Sequence, residues 1–315
     1  MINIKKIFLS ALPERNIRLN ILFFVVIIAV SLLAGAQSAH AQFVATAQTP
    51  QTVIYAWAAS MAKDERGHYP ISLLKLALEK SGASYEIQPS KHDMPQWRTL
   101  RHVQMGRELD VVWTFTTPER EQTLLPIRIP IDRGLLGWRL LLINAADAER
   151  FAKLDSAEQL RELRSGQGHD WPDFPILKAN GFNVSPSSSY QGLFAMLQRR
   201  RIAYFPRSMT EIEPEVRAHQ NQALVVAPRW VLHYPAPLYF FVSREKPALA
   251  AAIERGLLVA IKDGSMRRLF QLHFGEAIAK ADLNHRSVLT LSNPFLTNAT
   301  PLQRTDLWFS PTLGF

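Results

Sequence analysis

The segment Asp110-Val-Val-Trp-Thr-Phe-Thr-Thr-Pro-Glu-Arg120 runs from a strand into the start of a helix. Residues 109–115 are apolar enough for a buried strand. Thr114, Thr116 and Thr117 bring hydroxyls to its end, and Pro118 opens a short helix over 118–124. In open α/β sheets, ligands gather at the carboxyl ends of strands. A helix start there favours an anion, and the planar fork of Arg120 fits a carboxylate with two hydrogen bonds. The alternative for Arg120 is a surface pairing with Glu119 or Glu121.

Toward the N-terminus, hydrophobic period predicts strands at 53–57 and 84–88 and helices at 70–80 and 95–107. The order β-α-β-α-β argues for a mostly parallel sheet with helices on its faces. Toward the C-terminus, residues 125–137 hold Pro126, Pro130, Gly134 and Gly137 without helical period, so they read as an extended crossing. A second alternating series follows, with strands at 140–143, 202–205 and 224–226. Ser156 with Gln159, and Ser188 with Gln191, form capping boxes for helices ending at Leu163 and Arg200. A helix is also expected over 209–219, with Pro214 to accommodate. The stretch 228–237 reads as a second crossing. It is followed by a strand at 238–242, a helix at 247–262 and a helix at 265–274 capped by Ser265.

The expected fold class is therefore α/β, with two lobes of mostly parallel sheet joined by two extended hinge crossings. Lobe 1 is expected to be discontinuous, from 42–137 plus 230–315, with lobe 2 over 138–229. A single doubly wound domain is the alternative. The last thirty residues read as an irregular tail. Its Leu291, Phe295, Leu302, Trp308 and Phe309 are apolar enough to lie against a lobe.

The N-terminus has the pattern of a secretory leader. Lys5, Lys6, Arg15 and Arg18 precede an apolar run over 21–35, and Ala39-His40-Ala41 supplies small residues at −3 and −1 of a cut. Cleavage would remove residues 1–41 and leave 274 of the 315, in the periplasm. The alternative is an uncleaved anchor, for which the run is short. Without the leader's four cations and Glu14, 32 basic and 26 acidic residues remain, a net charge of +6. No cysteine is present, which excludes disulfides, thiolate metal sites and a cysteine nucleophile. Arg199-Arg200-Arg201 ends a predicted helix, where cations are ordinarily placed. No aromatic-basic groove pattern indicates a nucleic-acid partner. His102, His169, His219, His233, His273 and His285 show no metal spacing, no cofactor fingerprint is complete, and no catalytic motif stands out.

The 110–120 segment, with Thr117-Pro-Glu-Arg120 and then Leu125-Pro-Ile127, resembles the family 3 extracellular solute-binding proteins, the amino-acid receptors of ABC importers. The segment from Tyr239-Phe-Phe-Val-Ser-Arg-Glu245 through Asp263-Gly-Ser265 is similar to that family's return strand and long helix. The resemblance spans residues 53–274 and implies a type II periplasmic-binding-protein fold, with Arg120 clamping a ligand α-carboxylate. It also implies a ring over the ligand at Tyr55 or Trp57, and a helix start near Gly166-Gln-Gly168, where Gly168 allows close approach. One departure is notable. Family members commonly place an acid after the second-lobe strand to take the ligand's amine, whereas Ile202-Ala-Tyr-Phe-Pro-Arg-Ser208 offers Arg207 and no acid before Glu211. Arg207 is thus expected either to meet a second acidic group or to be an exposed loop cation. The resulting expectation is a monomeric periplasmic binding protein for a small polar ligand, without cofactor or catalysis, partnered by a membrane permease or membrane signalling protein. A sensor/adaptor, and then a dehydratase-like enzyme on the same fold, are the alternatives.

Overall fold

The computed structural model describes residues 49–57 and 65–312. The expected leader, with its cut after Ala41, lies outside the described residues. The elements run β1 (Gln51–Tyr55), α1 (His68–Lys80), β2 (Tyr85–Pro89), α2 (Gln96–Gln104), β3 (Val111–Phe115), α3 (Pro118–Thr123), β4 (Leu125–Ile127), β5 (Trp138–Asn144), α4 (Ala148–Ala152), α5 (Ala157–Glu162), β6 (Ser165–Gly168), α6 (Asp173–Ala179), β7 (Val184–Ser187), α7 (Tyr190–Gln198), β8 (Tyr204–Ser208), α8 (Ile212–Ala218), β9 (Leu224–His233), β10 (Leu238–Val242), α9 (Pro247–Lys262), α10 (Ser265–Ala281) and β11 (Ser287–Thr290).

Among the described residues these strands form two sheets, of order β2-β1-β3-β10-β4 and β11-β9-β5-β8-β6-β7. Each is built the same way. A strand pairs in parallel with the next strand on one side and the one after on the other: β1 with β2 and β3, β6 with β7 and β8. A strand arriving from the other half of the chain then closes the set antiparallel: β10 on β3, β5 on β8. This is two lobes, and it excludes the single doubly wound sheet. In the second sheet β11 is added at the edge, parallel to β9.

The segments joining the sheets run side by side. Gly137 donates no side chain at the contact, and a Cβ there would lie 2.0 Å from the Tyr234 carbonyl oxygen, closer than atoms can approach. Tyr234 N–H donates to the Gly137 carbonyl at 3.2 Å, and Ile131 N–H donates to that of Leu238 at 2.9 Å. Beside them Asp132 accepts from the amides of Gly134 and Leu136, at 3.0 Å each.

Several expected boundaries move. The second crossing is shorter than 228–237, because β9 continues to His233. Pro228 is accommodated where the β5–β9 register shifts between Leu140 and Leu142, a bulge in which a missing N–H breaks no ladder bond. Residues 230–233 and β11 therefore belong to the second sheet, although the sequence assigned them to lobe 1. Ser189 rather than Ser188 caps α7, accepting from Gly192 N–H at 3.0 Å, since three consecutive serines leave the register open. The last long helix has Gly264, not Ser265, at its cap in the left-handed region (φ 74°), and continues to Ala281.

In the first lobe, α1 and α9 pack so closely that a Cβ on Gly256 would fall 1.7 Å from the Ala77 carbonyl oxygen. Leu73, Leu74, Ile253 and Leu257 are fully buried around that crossing. The second lobe buries Leu141, Ile143, Tyr204 and Leu232 on its own sheet.

Candidate ligand-binding site

The carboxyl end of β3, the hinge and the start of α6 converge on a cavity of about 290 Å³. The first-lobe wall is Phe115 to Arg120, the second-lobe wall includes Arg139, Trp171 and Asp173, and the tail contributes Asn293 and Phe295. The volume is at the small end of the range for small-molecule sites.

Arg120 stands on α3 and is held in place by neutral groups. Its Nη1 donates to Thr114 Oγ1 at 3.0 Å and to the Phe115 carbonyl at 2.6 Å, and its Nη2 to Gln96 Oε1 at 3.4 Å. No carboxylate lies within ion-pair distance of it among the described residues. Burial lowers its pKa from the ordinary guanidinium value, partly offset by the charge of Glu119. It is nonetheless a permanent cation, so this wall presents a guanidinium with no ion-pair partner among the described residues, Glu119 acting on it only from a distance.

The hydroxyls of the segment build that wall. Thr114 is buried and also accepts from Gln96 Nε2 at 3.2 Å. Thr117 caps α3 by accepting the Arg120 N–H at 3.3 Å. Thr116 donates to Glu121 Oε1 at 2.6 Å, and Thr116 and Thr117 both line the cavity.

The opposite wall has an internally neutralised character. Arg139, fully buried on β5, pairs with Asp173 at 2.6 Å and Glu211 at 3.4 Å and donates to Tyr234 Oη at 3.1 Å. Tyr234 in turn donates to Asp173. Burial opposes the charge on Arg139, but Asp173, Tyr234 and Glu211 outweigh it and raise its pKa. Arg207 is neither an exposed cation nor a lining residue: its side chain is 5% exposed. It donates to Glu215 at 2.6–3.0 Å through Nε and Nη2, pairs with Glu211 at 3.1 Å and lies 4.9 Å from the Phe205 ring and 5.1 Å from that of Trp171. Burial works against its charge, and the two glutamates reverse that and raise its pKa. Arg207 thus meets acids of its own chain.

Gly168 ends β6 beneath the Trp171 ring, whose atoms would lie 2.5 Å from an added Cβ, so the glycine admits an indole. Tyr55 and Trp57 pack against Trp113 as tilted rings, with centroids 6.4 and 5.9 Å away. Neither is among the described residues that line the cavity. The sequence did not single out Arg139, Asp173, Tyr234, Asn293 or Phe295. Asp170 and Trp171 lie just beyond the Gly166–Gly168 stretch that the sequence did point to.

No family model matches the chain, and no curated protein matches it. Solved structures do. An ancestral arginine-binding protein bound to arginine superimposes with a TM-score of 0.51 at 18% identity, over 72% of this chain and 100% of its own. The probable amino-acid ABC transporter extracellular-binding protein of Bacillus subtilis gives 0.56 at 16%, over 72% and 99%. A structure from a study of glutathione import through the cystine ABC importer of Streptococcus mutans gives 0.51 at 13%, over 72% and 96%. This is a type II periplasmic-binding-protein fold. In such a fold the cavity found here lies where the carboxyl ends of both sheets face each other across the hinge. By description these three are an arginine-binding protein, an amino-acid ABC transporter binding protein and a structure from work on a cystine ABC importer, in keeping with the family 3 resemblance. Among the described residues, no helix is long and apolar enough to cross a membrane.

Proposed function

We propose that the chain is an exported solute-binding protein that captures a small carboxylate-bearing molecule in the interlobe cavity and passes it to a membrane importer, without chemically altering it. One observation carries this reading. Among the described residues, two arginines line the cavity: Arg139 is neutralised by Asp173 and Glu211, whereas Arg120 has only neutral hydrogen-bond partners. A desolvated guanidinium held this way lacks an anion, and a ligand carboxylate supplies it. Asp170, the exposed acid on the facing wall, suits an amine at the other end of the ligand, so a zwitterion of amino-acid size fits both walls. Trp171, Pro118 and Phe295 would cover its apolar part.

The reading is tested by screening amino acids, dicarboxylates and small peptides for a rise in melting temperature, followed by small-angle scattering. A ligand that bridges the walls raises the melting temperature once its concentration exceeds Kd, and it shrinks the particle by hinge closure. A library that produces neither effect overturns the proposal.

A further inference from the structure

Residues 291–309 do more than cover a lobe. At one end Leu291 N–H donates to the His233 carbonyl at 2.8 Å. Ser292 is gripped by Asn180 at the end of α6: its N–H and hydroxyl donate to Asn180 Oδ1 at 3.0 and 3.3 Å, and Asn180 Nδ2 returns a bond to its carbonyl at 2.8 Å. These contacts belong to the second lobe. Asn293 Nδ2 then donates to Pro235 in the hinge at 2.9 Å, and Asn293 and Phe295 pass along the cavity as part of its wall. Two residues later the chain reaches the first lobe, where the Thr297 hydroxyl donates to the Glu121 carboxylate, 3.2 Å from either oxygen. Glu121 is buried on α3, next to Arg120, and also takes Thr116 and Arg128. The segment finally returns to the first crossing, where Phe309 N–H donates to the Arg133 carbonyl at 2.8 Å and Arg133 Nη2 to that of Trp308 at 3.0 Å. The Trp308 ring there covers Gly134.

A single segment is therefore hydrogen-bonded to the second lobe, the hinge and the first lobe in succession, and between its two lobe anchors it borders the cavity. We propose that residues 291–309 act as a strap that limits how far the lobes open and forms the outer wall of the ligand site, with Thr297–Glu121 as its releasable clasp. The proposal rests on the cavity being the ligand site, but the restraint itself belongs to the ligand-free protein. Opening the lobes draws Asn180 away from Glu121, and once the five-residue span from Ser292 to Thr297 is fully extended, further opening breaks the clasp or unseats Ser292. The clasp touches the helix that carries Arg120, which links strap release to the ligand anchor.

The absence of cysteine makes the test direct. Lys75, on α1, and Lys153, beside α4, are exposed, and Lys75→Cys with Lys153→Cys places one spin label on each lobe. Electron–electron double resonance on the ligand-free, full chain then reads the interlobe distance. Thr297→Val, which removes the clasp hydroxyl at nearly constant shape, is expected to lengthen and broaden the distribution. Thr297→Ser should restore the parental one, and Asn180→Ala should loosen the other anchor with the same effect, circular dichroism verifying the fold of each. Parental distributions for both Thr297→Val and Asn180→Ala overturn the strap. The same labelled pair separates the two readings. If L-arginine, L-glutamine, L-glutamate and the rest of the screened solutes leave the distance unmoved while Thr297→Val lengthens it, the receptor reading falls and the strap stands.

Discussion

Arg120 stands on α3, just after β3, and Arg207 lies within β8; one is balanced by neutral oxygens and the other by Glu211 and Glu215. Their substitutions should therefore fail differently. Arg120→Ala removes the cation a ligand carboxylate would meet, and losing one partner of such a pair costs about 2–5 kcal/mol. Calorimetry with the solute chosen by the thermal screen should show Kd weakened roughly thirtyfold or more, at 1.4 kcal/mol per tenfold. Arg120→Lys should recover little, because an ammonium lacks the bidentate fork. Unchanged affinity in Arg120→Ala removes Arg120 from the site. Arg207→Met instead leaves two buried carboxylates without their shared cation, so the loss should appear in urea unfolding as about 3–5 kcal/mol. The place of Arg120 was legible because strand, helix start and guanidinium lie within eleven consecutive residues. The pairing of Arg207 was not, since Glu215 reaches it only after β8 has turned into α8. Asp173 was invisible for a similar reason: its partners Arg139 and Tyr234 are 34 and 61 residues away.

Elements with regular periodicity came through the sequence nearly intact, as with α1, α9 and the β1–β3 series. What it missed were features that depend on neighbours: the bulge admitting Pro228, and β11, whose Ser-Val-Leu-Thr is strand only because β9 offers an edge. The α1–α9 crossing gives an element-scale test. Gly256→Ala gains up to about 1 kcal/mol of helix propensity, but its methyl would enter the space of the Ala77 carbonyl oxygen. Overpacking against backbone costs about 1–3 kcal/mol or more, so steric conflict wins. The melting temperature should fall by about 5 °C, at about 2–4 °C per kcal/mol for a chain of this size. Gly275→Ala in α10 is the matched control, with nothing within 4 Å of the added Cβ, and should be neutral or slightly stabilising. A fall in both variants would mean that the helices, and not their contact, are the sensitive feature.

For the molecule as a whole, the two lobes repeat one strand order without a repeat in the sequence, so only strand pairing reveals the symmetry. The hinge between them also sets an acid response. His233, stacked 4.1 Å from Trp138 at the end of β9, is pushed down to about 4 by burial. Asp132, in the first crossing, is pushed up to about 6 by burial, with the amides of Leu136 and Gly134 opposing. The histidine's folded pKa is depressed, so the unfolded chain binds its proton first as pH falls. Its stabilising contribution is complete above about 6.5 and is lost as pH drops toward 4. The aspartate acts in the opposite sense: the folded chain keeps its proton longer, and stability is lost as pH rises from 3.8 through 6. At about 1.4 kcal/mol per unit, each amounts to about 3 kcal/mol, and between pH 4 and 6 they nearly cancel. His233→Phe keeps the stacking on Trp138 and removes only the histidine's contribution. Relative to the parent, it should gain stability progressively as pH falls from 6.5 to 4, by up to about 3 kcal/mol, with little difference in that slope above pH 7. Urea unfolding of both proteins at pH 7.5, 6, 5 and 4 measures the difference directly, other titrating groups cancelling in the subtraction. A difference that stays constant across those pH values would mean that His233 does not titrate abnormally in the fold.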